Sequence, residues 1–285
     1  MTIRIIPRLD IKGPNLVKGI HLEGLRVLGK PEHFAQYYYE SGADELIYMD
    51  VVASLYGRNN ILDIITKTSE KIFIPLTVGG GIRTLEDIHN ALNAGADKIA
   101  LNTAAIHKPE FISEAARKFG SSTIIISIEA IKKNGIYEVY TDNGREPTNI
   151  NALDWAKQVS ELGAGEIIIT SIDKEGTGKG FDLELTKKIS EHVPIPVIAC
   201  GGAGNINDIL EVIKSGKADA VSISSILHYE SFSKFEYESG DFNNEGNTDF
   251  LFTGNINKNI STSTIYQIKD FLSDNQIESR ILKKV

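Results

Sequence analysis

The sequence has little cysteine, no long apolar run and no excess of positive charge. Cys200 is the only cysteine among 285 residues, which excludes an internal disulfide framework and a cysteine-rich zinc site. No apolar run approaches the roughly 18 residues of a membrane-spanning helix, and the first residues lack the apolar region of a signal peptide. The formal charge of −8 argues against general binding to nucleic acid or to a membrane surface. These absences predict a soluble, cytoplasmic protein.

The motifs of metal and cofactor binding are also missing. The six histidines are scattered without the spacing of metal ligands, so we predict no metal site. The dinucleotide fingerprint, in which GxGxxG joins a strand to a helix, does not occur, and we predict no cofactor. Cys200 lies in an apolar run with no evident base nearby, which indicates a core residue rather than a nucleophile.

Short β-branched apolar runs alternate with longer helical patterns along the chain. Continuous apolar runs are typical of parallel strands that are covered on both faces. The strand candidates are 4–9, 45–50, 74–78, 98–101, 123–128, 166–170, 196–199 and 220–223. Helical patterns occupy 31–41, 61–71, 85–93, 109–119, 152–162, 183–192, 206–215 and 264–274. Eight βα units of this length predict one α/β domain over 1–285, a (β/α)8 TIM barrel, in preference to a doubly wound open sheet.

The chain also repeats itself at half length. The segment PLTVGGGI from Pro75, followed by a helix and GADKIALNT, recurs 121 residues later as PVIACGGAG from Pro196, a helix and KADAVSISS. This repeat indicates two half-barrels, about 1–120 and 121–285, with duplicated sites related by two-fold pseudosymmetry.

Two segments interrupt the rhythm of strands and helices. Residues 132–148 contain an Asn-Gly turn between alternating residues, which predicts a β-hairpin after the fifth strand. Residues 231–263 are rich in Asn, Gly, Ser, Phe and Tyr and show no helical period. They predict a loop insertion on the face that carries the C-terminal ends of the strands.

Two glycine clusters follow matching strands of the two halves. Gly-rich turns leave backbone N–H groups free to surround a phosphate, and the loops after strands seven and eight are the usual phosphate site of this fold. Glycine also simply permits tight turns, but two clusters in register favour a substrate with a phosphate at each end. The candidates at these strand ends are Gly80, Gly81, Asn102 and Thr103 in the first half and Gly201, Gly202, Ser224 and Ser225 in the second.

Acidic residues end the first and fifth strands, which lie opposite each other in an eight-stranded barrel. Asp10 and Glu129 would face each other across the mouth, and a carboxyl pair in unlike environments can divide into a general acid and a general base. The alternative is a structural role, in which the acidic residue bonds a helix or a loop lysine such as Lys12 or Lys18. Further candidates for holding substrate or orienting the loops are Lys18, Asp50, Thr170, Ser171 and Glu175.

Four charges of alternating sign stand at the starts of strands one, two, four and six. Arg4, Glu45, Lys98 and Glu166 would form a salt-bridged ring across the bottom of the barrel. Taken alone, such a ring indicates a contribution to stability, and a functional gate is the lesser alternative.

These motifs occur together and in the same order in a known enzyme family. The segments RIIPRLDIK, LVKG, DELIYMD, VGGGI, GADKIALNTAA, GAGEIIITSID, GTGKG, CGGAG and SSILH resemble those of the cyclase subunit of imidazole glycerol phosphate synthase. The resemblance covers about 1–230 and the last helix, and it implies a lyase of histidine biosynthesis. It also implies a separate glutaminase subunit that docks on the bottom face and releases ammonia. The ammonia passes through the barrel and attacks the bisphosphorylated intermediate PRFAR, which gives imidazole glycerol phosphate and AICAR.

The same resemblance implies roles for individual residues. Asp10 matches the principal acid/base residue of the family, and Glu129 matches its second catalytic Asp. The four charges at the strand starts match the family's ammonia gate, which strengthens that alternative. Asp97 and His228 fall where the family contacts its glutaminase, and this chain shows no glutaminase triad of its own.

Departures from the family cluster on the substrate face. Arg8 stands where the family usually has Cys, and Glu129 and Glu175 stand where it usually has Asp. A displacement of about 1 Å at a catalytic group can lower a rate roughly 10²-fold. Three functions therefore stay open. The first is the cyclase itself, and the second is a cyclase-like relative that delivers ammonia for sugar amidation in surface polysaccharide biosynthesis. The third is a barrel that only binds phosphorylated metabolites.

Overall fold

The strands of this chain close into a barrel. The computed structural model describes residues 2–53, 61–232, 234–235 and 257–280. Within these ranges the strands are β1 (Arg4–Lys12), β2 (Asn15–Ile20), β3 (Glu23–Gly29), β4 (Leu46–Asp50), β5 (Leu76–Gly79), β6 (Lys98–Leu101), β7 (Ile124–Lys133), β8 (Ile136–Thr141), β9 (Glu146–Asn151), β10 (Glu166–Ser171), β11 (Val197–Cys200) and β12 (Ala220–Ile223). The order of parallel pairing is β1, β4, β5, β6, β7, β10, β11 and β12, and β12 pairs again with β1. The predicted (β/α)8 TIM barrel is confirmed.

Helices connect these strands on the outside of the barrel. They are α1 (Pro31–Glu40), α2 (Leu62–Ser69), α3 (Leu85–Asn93), α4 (Thr103–His107), α5 (Glu110–Phe119), α6 (Ala152–Glu161), α7 (Leu183–Ser190), α8 (Ile206–Lys214), α9 (Ser225–Phe232) and α10 (Ile265–Asp274). The sequence did not predict α4 or α9, because α4 has only five residues and α9 is buried along most of its length. None of the helices in the described ranges is both long and apolar enough to cross a membrane.

The continuous apolar runs of the strands supply two cores, one on each face of the sheet. Ile6, Ile47, Ala100, Ile125 and Ile168 belong to the cluster inside the barrel. The residues between them in each strand join a larger cluster that packs the helices against the outer face. Because successive strand residues point to opposite faces, Arg4, Arg8 and Asp10 share the inner face of β1 with Ile6.

Two hairpins extend from the C-terminal end of the barrel. β7 and β8 pair around Asn134-Gly135, which confirms the predicted hairpin, and β9 adds a third strand that the sequence did not predict. β2 and β3 form a hairpin after β1 that was likewise not predicted. Its turn residues, His21 and Leu22, adopt φ angles of 52° and 64°. Such angles are uncommon for residues other than glycine, so no turn motif in the sequence marks this hairpin.

Corresponding contacts recur in the two halves of the chain. The backbone N–H of Leu76 donates to Asp97 Oδ2 at 2.9 Å, and that of Val197 donates to Asp219 Oδ2 at 2.8 Å. Helices α3 and α8 both begin with a capping box. These matches favour the division into half-barrels at about 1–120 and 121–285, which we keep as a proposal.

The insertion predicted at 231–263 lies mostly outside the described residues. Its first two residues complete α9, and its last described part begins at Asn257. Asn257 Nδ2 donates to the backbone oxygen of Thr177 at 3.1 Å, and the backbone N–H of Ser261 donates to Gly204 O at 2.7 Å. Because these partners lie in loops after β10 and β11, this end of the insertion lies on the predicted face.

Candidate active site

A buried ion pair occupies the centre of the barrel mouth. Arg8 Nε donates to Asp10 Oδ1 at 2.8 Å, and the side chains are only 2% and 4% exposed. The Arg8 guanidinium continues across the interior, where Nη1 lies 3.4 Å from Thr170 Oγ1 and 3.5 Å from Cys200 Sγ. These two residues lie on β10 and β11, which are not neighbours of β1 in the sheet. Arg8 therefore reaches across the barrel interior. The ion-pair partner of Asp10 is Arg8 and not a loop lysine.

The charge on Arg8 is fixed by its surroundings. Burial lowers the pKa of Arg8, but the nearby Asp10, Cys200, Glu175 and Glu129 act in the opposite direction and leave it above its ordinary value. The guanidinium is thus a permanent cation in an apolar interior, where charge interactions are strong.

Glu129 is a buried carboxyl without a cation of its own. It lies on β7, opposite β1 in the barrel, and is 4% exposed. Burial raises its pKa to about 7, although Arg8 and a hydrogen bond from the backbone N–H of Gly144 lower it. Its Oε2 atom has no hydrogen-bond partner among the described residues. A carboxyl that titrates near neutral pH is suited to both donating and accepting a proton.

The first predicted phosphate site opens into a cavity beside Glu129. The cavity has a volume of about 530 Å³ and is lined by the residues that we call the first cradle, Gly80, Gly81, Asn102 and Thr103, together with Asp50 and Glu129. Gly80 has a φ of 94°, and a Cβ there would lie 2.2 Å from the backbone oxygen of Asp50. Only glycine allows this approach of the two backbones.

Further residues line the same cavity and were not predicted. Arg83 and Lys108 supply cations, and Asp142 and Asn143 come from the turn between β8 and β9. The Asp50 carboxylate points to its own loop, since Oδ1 accepts from the backbone N–H groups of Val52 and Ala53 at 3.0 and 2.9 Å. Asp50 thus contacts the backbone of the loop that follows β4, and its role toward a substrate stays a prediction.

The second predicted phosphate site is nearly closed. Its residues, Gly201, Gly202, Ser224 and Ser225, form the second cradle and line a cavity of only about 10 Å³ together with Glu175. Gly201 and Gly202 have φ angles of 91° and 107°, which match the left-handed conformation of the first cradle. This volume holds no more than about one water molecule, so the second cradle is closed in this structure.

Lys18 and Glu175 form a second buried ion pair next to Arg8. Lys18 lies on β2 and Glu175 in the loop after β10, and their side chains are hydrogen-bonded. Burial lowers the pKa of Lys18, but Glu175 and Asp10 outweigh it and leave the pKa raised. The remaining two predicted substrate residues, Thr170 and Ser171, are buried, and Ser171 Oγ donates to Asp182 Oδ2 at 3.5 Å.

The four charges at the strand starts form the predicted ring, which we call the bottom ring. Arg4 lies 2.8 Å from Glu45 and 3.0 Å from Glu166. Lys98 lies 3.0 and 2.8 Å from the same two carboxylates. Every member therefore contacts both members of opposite charge, and the ring crosses the N-terminal end of the barrel.

The two predicted docking residues have different surroundings. Asp97 is exposed beside the bottom ring, where a partner can reach it. His228 has no exposed surface, and its Nδ1 lies 2.6 Å from the hydroxyl oxygen of Tyr38. Burial, with a further effect of Lys18, lowers the pKa of His228 to about 3. The predicted contact of His228 with a partner is therefore wrong for this structure, because the side chain belongs to the core under α9.

The described residues offer no obvious place for a metal ion. Among them, no group of three or more His, Cys, Asp or Glu side chains is arranged to hold one. Cys200 is buried, and burial raises the pKa of its thiol, so it is a poor nucleophile.

Similarity to known proteins agrees with this geometry. Residues 4–233 match the family described as histidine biosynthesis protein. The chain is 59% identical over 207 residues to an imidazole glycerol phosphate synthase subunit HisF from Legionella pneumophila, a match that covers 72% of this chain and 98% of the relative. The chain belongs to the HisF family. It is also 47% identical over 234 residues to the HisF subunit of Alkaliphilus metalliredigens, with coverage of 82% and 93%.

Membership of the HisF family decides the predicted class of function. The predicted cyclase of histidine biosynthesis, a lyase of the imidazole glycerol phosphate synthase type, is confirmed at the level of the family. The relatives are named as subunits, which agrees with a chain that works in a complex.

Proposed function

We propose that this chain is a cytoplasmic, ammonia-dependent cyclase that converts PRFAR to imidazole glycerol phosphate and AICAR. The observation that carries the proposal is the placement of two carboxyls, Asp10 and Glu129, between two glycine cradles at the mouth of one barrel. The cradles would hold the two phosphate ends of the substrate, and the carboxyls would lie beside its middle.

The chemistry requires proton transfer at two points. A nitrogen nucleophile loses protons as it forms new bonds, and the departing amine gains one, so the site needs a proton acceptor and a proton donor. Glu129 has a pKa of about 7 and lines the open cavity, which suits it to this exchange. Asp10 is held in place by the hydrogen bond that Arg8 Nε donates to it.

A direct assay tests this function. PRFAR and ammonium are supplied to the purified chain, and AICAR formation is followed. Turnover is expected, with a roughly 10²- to 10⁴-fold loss in Glu129→Gln. Glu161→Gln, at an exposed position on α6, is the matched control and should keep the wild-type rate. Absence of turnover in the wild-type chain would exclude the cyclase function.

We further propose that a glutaminase subunit docks on the bottom face and that its ammonia enters through the bottom ring. The ring closes this end of the barrel, and the exposed Asp97 lies beside it. Ammonia that crosses the ring reaches the apolar interior and then Arg8 at the mouth. In the reconstituted complex, Arg4→Met should lower the ratio of glutamine-driven to ammonium-driven turnover, whereas Arg117→Met on the outside of α5 should not. An unchanged ratio in both variants contradicts passage through the ring.

A second candidate function is delivery of ammonia to a different acceptor, in sugar amidation for surface polysaccharides. Arg8 favours it, because this cation fills the centre of the mouth and binds Asp10 directly. Both functions use the bottom ring and a glutaminase, so only the acceptor distinguishes them. Turnover of PRFAR supports the first function. Glutaminase activation by this chain without PRFAR turnover supports the second.

A further inference from the structure

Arg8 contacts one of the two carboxyls of the mouth, Asp10, and not the other, Glu129. Arg8 Nε lies 2.8 Å from Asp10 Oδ1, and Nη1 is turned toward Thr170 and Cys200. No hydrogen bond joins Arg8 to Glu129 among the described residues, and Nη2 of Arg8 and Oε2 of Glu129 are both buried without a partner. A buried polar atom without a partner is unfavourable, so this unequal arrangement has to be stabilised by the rest of the site.

The other charges that act on Glu129 do not stabilise its ionised form. Asp10 and Asp142 are the further charged groups that act on Glu129, and both disfavour its ionised form. Tyr140 on β8 and Thr170 on β10 are its partners in the sheet register, and neither is a cationic side chain.

Lys18 does not neutralise Glu129 either. Its ammonium is hydrogen-bonded to Glu175, and the Lys18–Glu175 pair is buried. Within the buried group of Arg8, Lys18, Asp10 and Glu175, the two cations are matched by the two carboxylates, and Glu129 is not paired with either cation.

We propose that Arg8 is a positioning residue that divides the roles of the two carboxyls. It anchors the Asp10 side chain through their ion pair, and it thereby assigns proton exchange with the bound substrate to Glu129. This inference rests on the proposed cyclase function for its substrate, but the charge distribution that it describes is a property of the chain alone. Glu129 also lines the cavity of the first cradle, so a ligand bound there reaches its carboxyl.

The inference is tested first without substrate, by carbon NMR of side-chain carboxyls over a pH series. The Glu129 signal, assigned by its loss in Glu129→Gln, should titrate with a midpoint of about 7. In Arg8→Met the midpoint should rise by about one pH unit, because a nearby cation lowers a carboxyl pKa by roughly 1–3 units. Arg117→Met, which removes an arginine from the surface of α5, should leave the midpoint where it is.

Two more variants keep the test usable if Arg8→Met does not fold. Arg8→Met/Asp10→Asn replaces the buried ion pair with neutral side chains. Its Glu129 midpoint should still rise, because Arg8 acts on Glu129 more strongly than Asp10 does. Arg8→Lys keeps the charge and should give a smaller rise than Arg8→Met. An unchanged Glu129 midpoint in every Arg8 variant, or titration of Asp10 in place of Glu129 near neutral pH, overturns the inference.

The second arm measures the pH profile of ammonium-driven turnover with PRFAR. Asp10→Asn should slow the reaction and keep the limb near pH 7, whereas Glu129→Gln should remove that limb. A limb that persists in Glu129→Gln contradicts the inference. If the chain does not turn over PRFAR at all, the proposed function fails, but the titration still decides the role of Arg8.

Discussion

Glu129 should make the stability of this protein depend on pH in a way that one substitution removes. Its pKa is about 7 in the folded protein and near the ordinary 4.5 in the unfolded chain. Because folding raises the pKa of this acid, the folded state favours its neutral form. Its effect on stability is thus neutral below about pH 4.5 and becomes more unfavourable until about pH 7. The separation of the two pKa values corresponds to about 3 kcal/mol of lost stability above pH 7.

Glu129→Gln keeps the size of the side chain and removes the charge. Urea unfolding of wild type and variant at about pH 4.5 and about pH 8 gives the difference in unfolding free energy, in which the other titrating groups cancel. This difference should be small at the lower pH and should favour the variant by about 3 kcal/mol at the higher pH. Glu161→Gln, on the surface of α6, should change stability by less than about 0.5 kcal/mol at either pH.

One result would refute this reasoning. If the difference between Glu129→Gln and wild type stays constant from pH 4.5 to pH 8, Glu129 does not titrate differently in the folded and unfolded states. Its carboxyl would then be ionised in the mouth at neutral pH, and the argument for its role as proton donor would fail.

Three further substitutions test the construction of the site. Gly135→Ala should cost about 1 kcal/mol by urea unfolding, because Gly135 has a positive φ. Gly80→Ala should destabilise the protein by more, because Gly80 also has a positive φ and its new Cβ would lie 2.2 Å from a backbone oxygen. Glu45→Gln should destabilise the barrel by about 1–3 kcal/mol, because it leaves Lys98 without one of its carboxylate partners. In a double-mutant cycle, Glu45→Gln/Lys98→Met should recover part of this loss, because the second substitution removes the lysine charge. Asp208→Ala should lower the thermal midpoint through a loss of about 1–2 kcal/mol, because its carboxylate caps α8.

The barrel could be predicted from the sequence because its strands carry their own signal. A strand covered on both faces is apolar at every position, and the parallel strands of the structure coincide with such runs. The hairpins were predicted only where the turn has a recognisable sequence motif. Asn134-Gly135 adopts positive φ angles of 50° and 81° and marks its hairpin in the sequence, whereas His21 and Leu22 adopt similar angles without a recognisable motif.

The sequence indicates which residues lie at the barrel mouth, but not which of them form ion pairs. The alternation of strand residues places Arg8 and Asp10 on the inner face together. Their ion pair, however, depends on how far the arginine side chain reaches across the interior, and β10 and β11 decide this through Thr170 and Cys200. The burial of His228 likewise depends on α9, a helix that has no amphipathic pattern because it is covered on most sides.

The charges at the mouth connect substrate binding to the protonation of Glu129. Arg8 and Lys18 balance Asp10 and Glu175, so these four buried groups together with Glu129 carry no net charge when Glu129 is neutral and one negative charge when it is ionised. The substrate that we propose has two phosphates and would bring more negative charge to the same mouth. It therefore binds better to the protonated form, and by thermodynamic linkage its binding raises the pKa of Glu129 further. Binding of the substrate thus favours protonation of Glu129, the carboxyl to which we assign proton exchange.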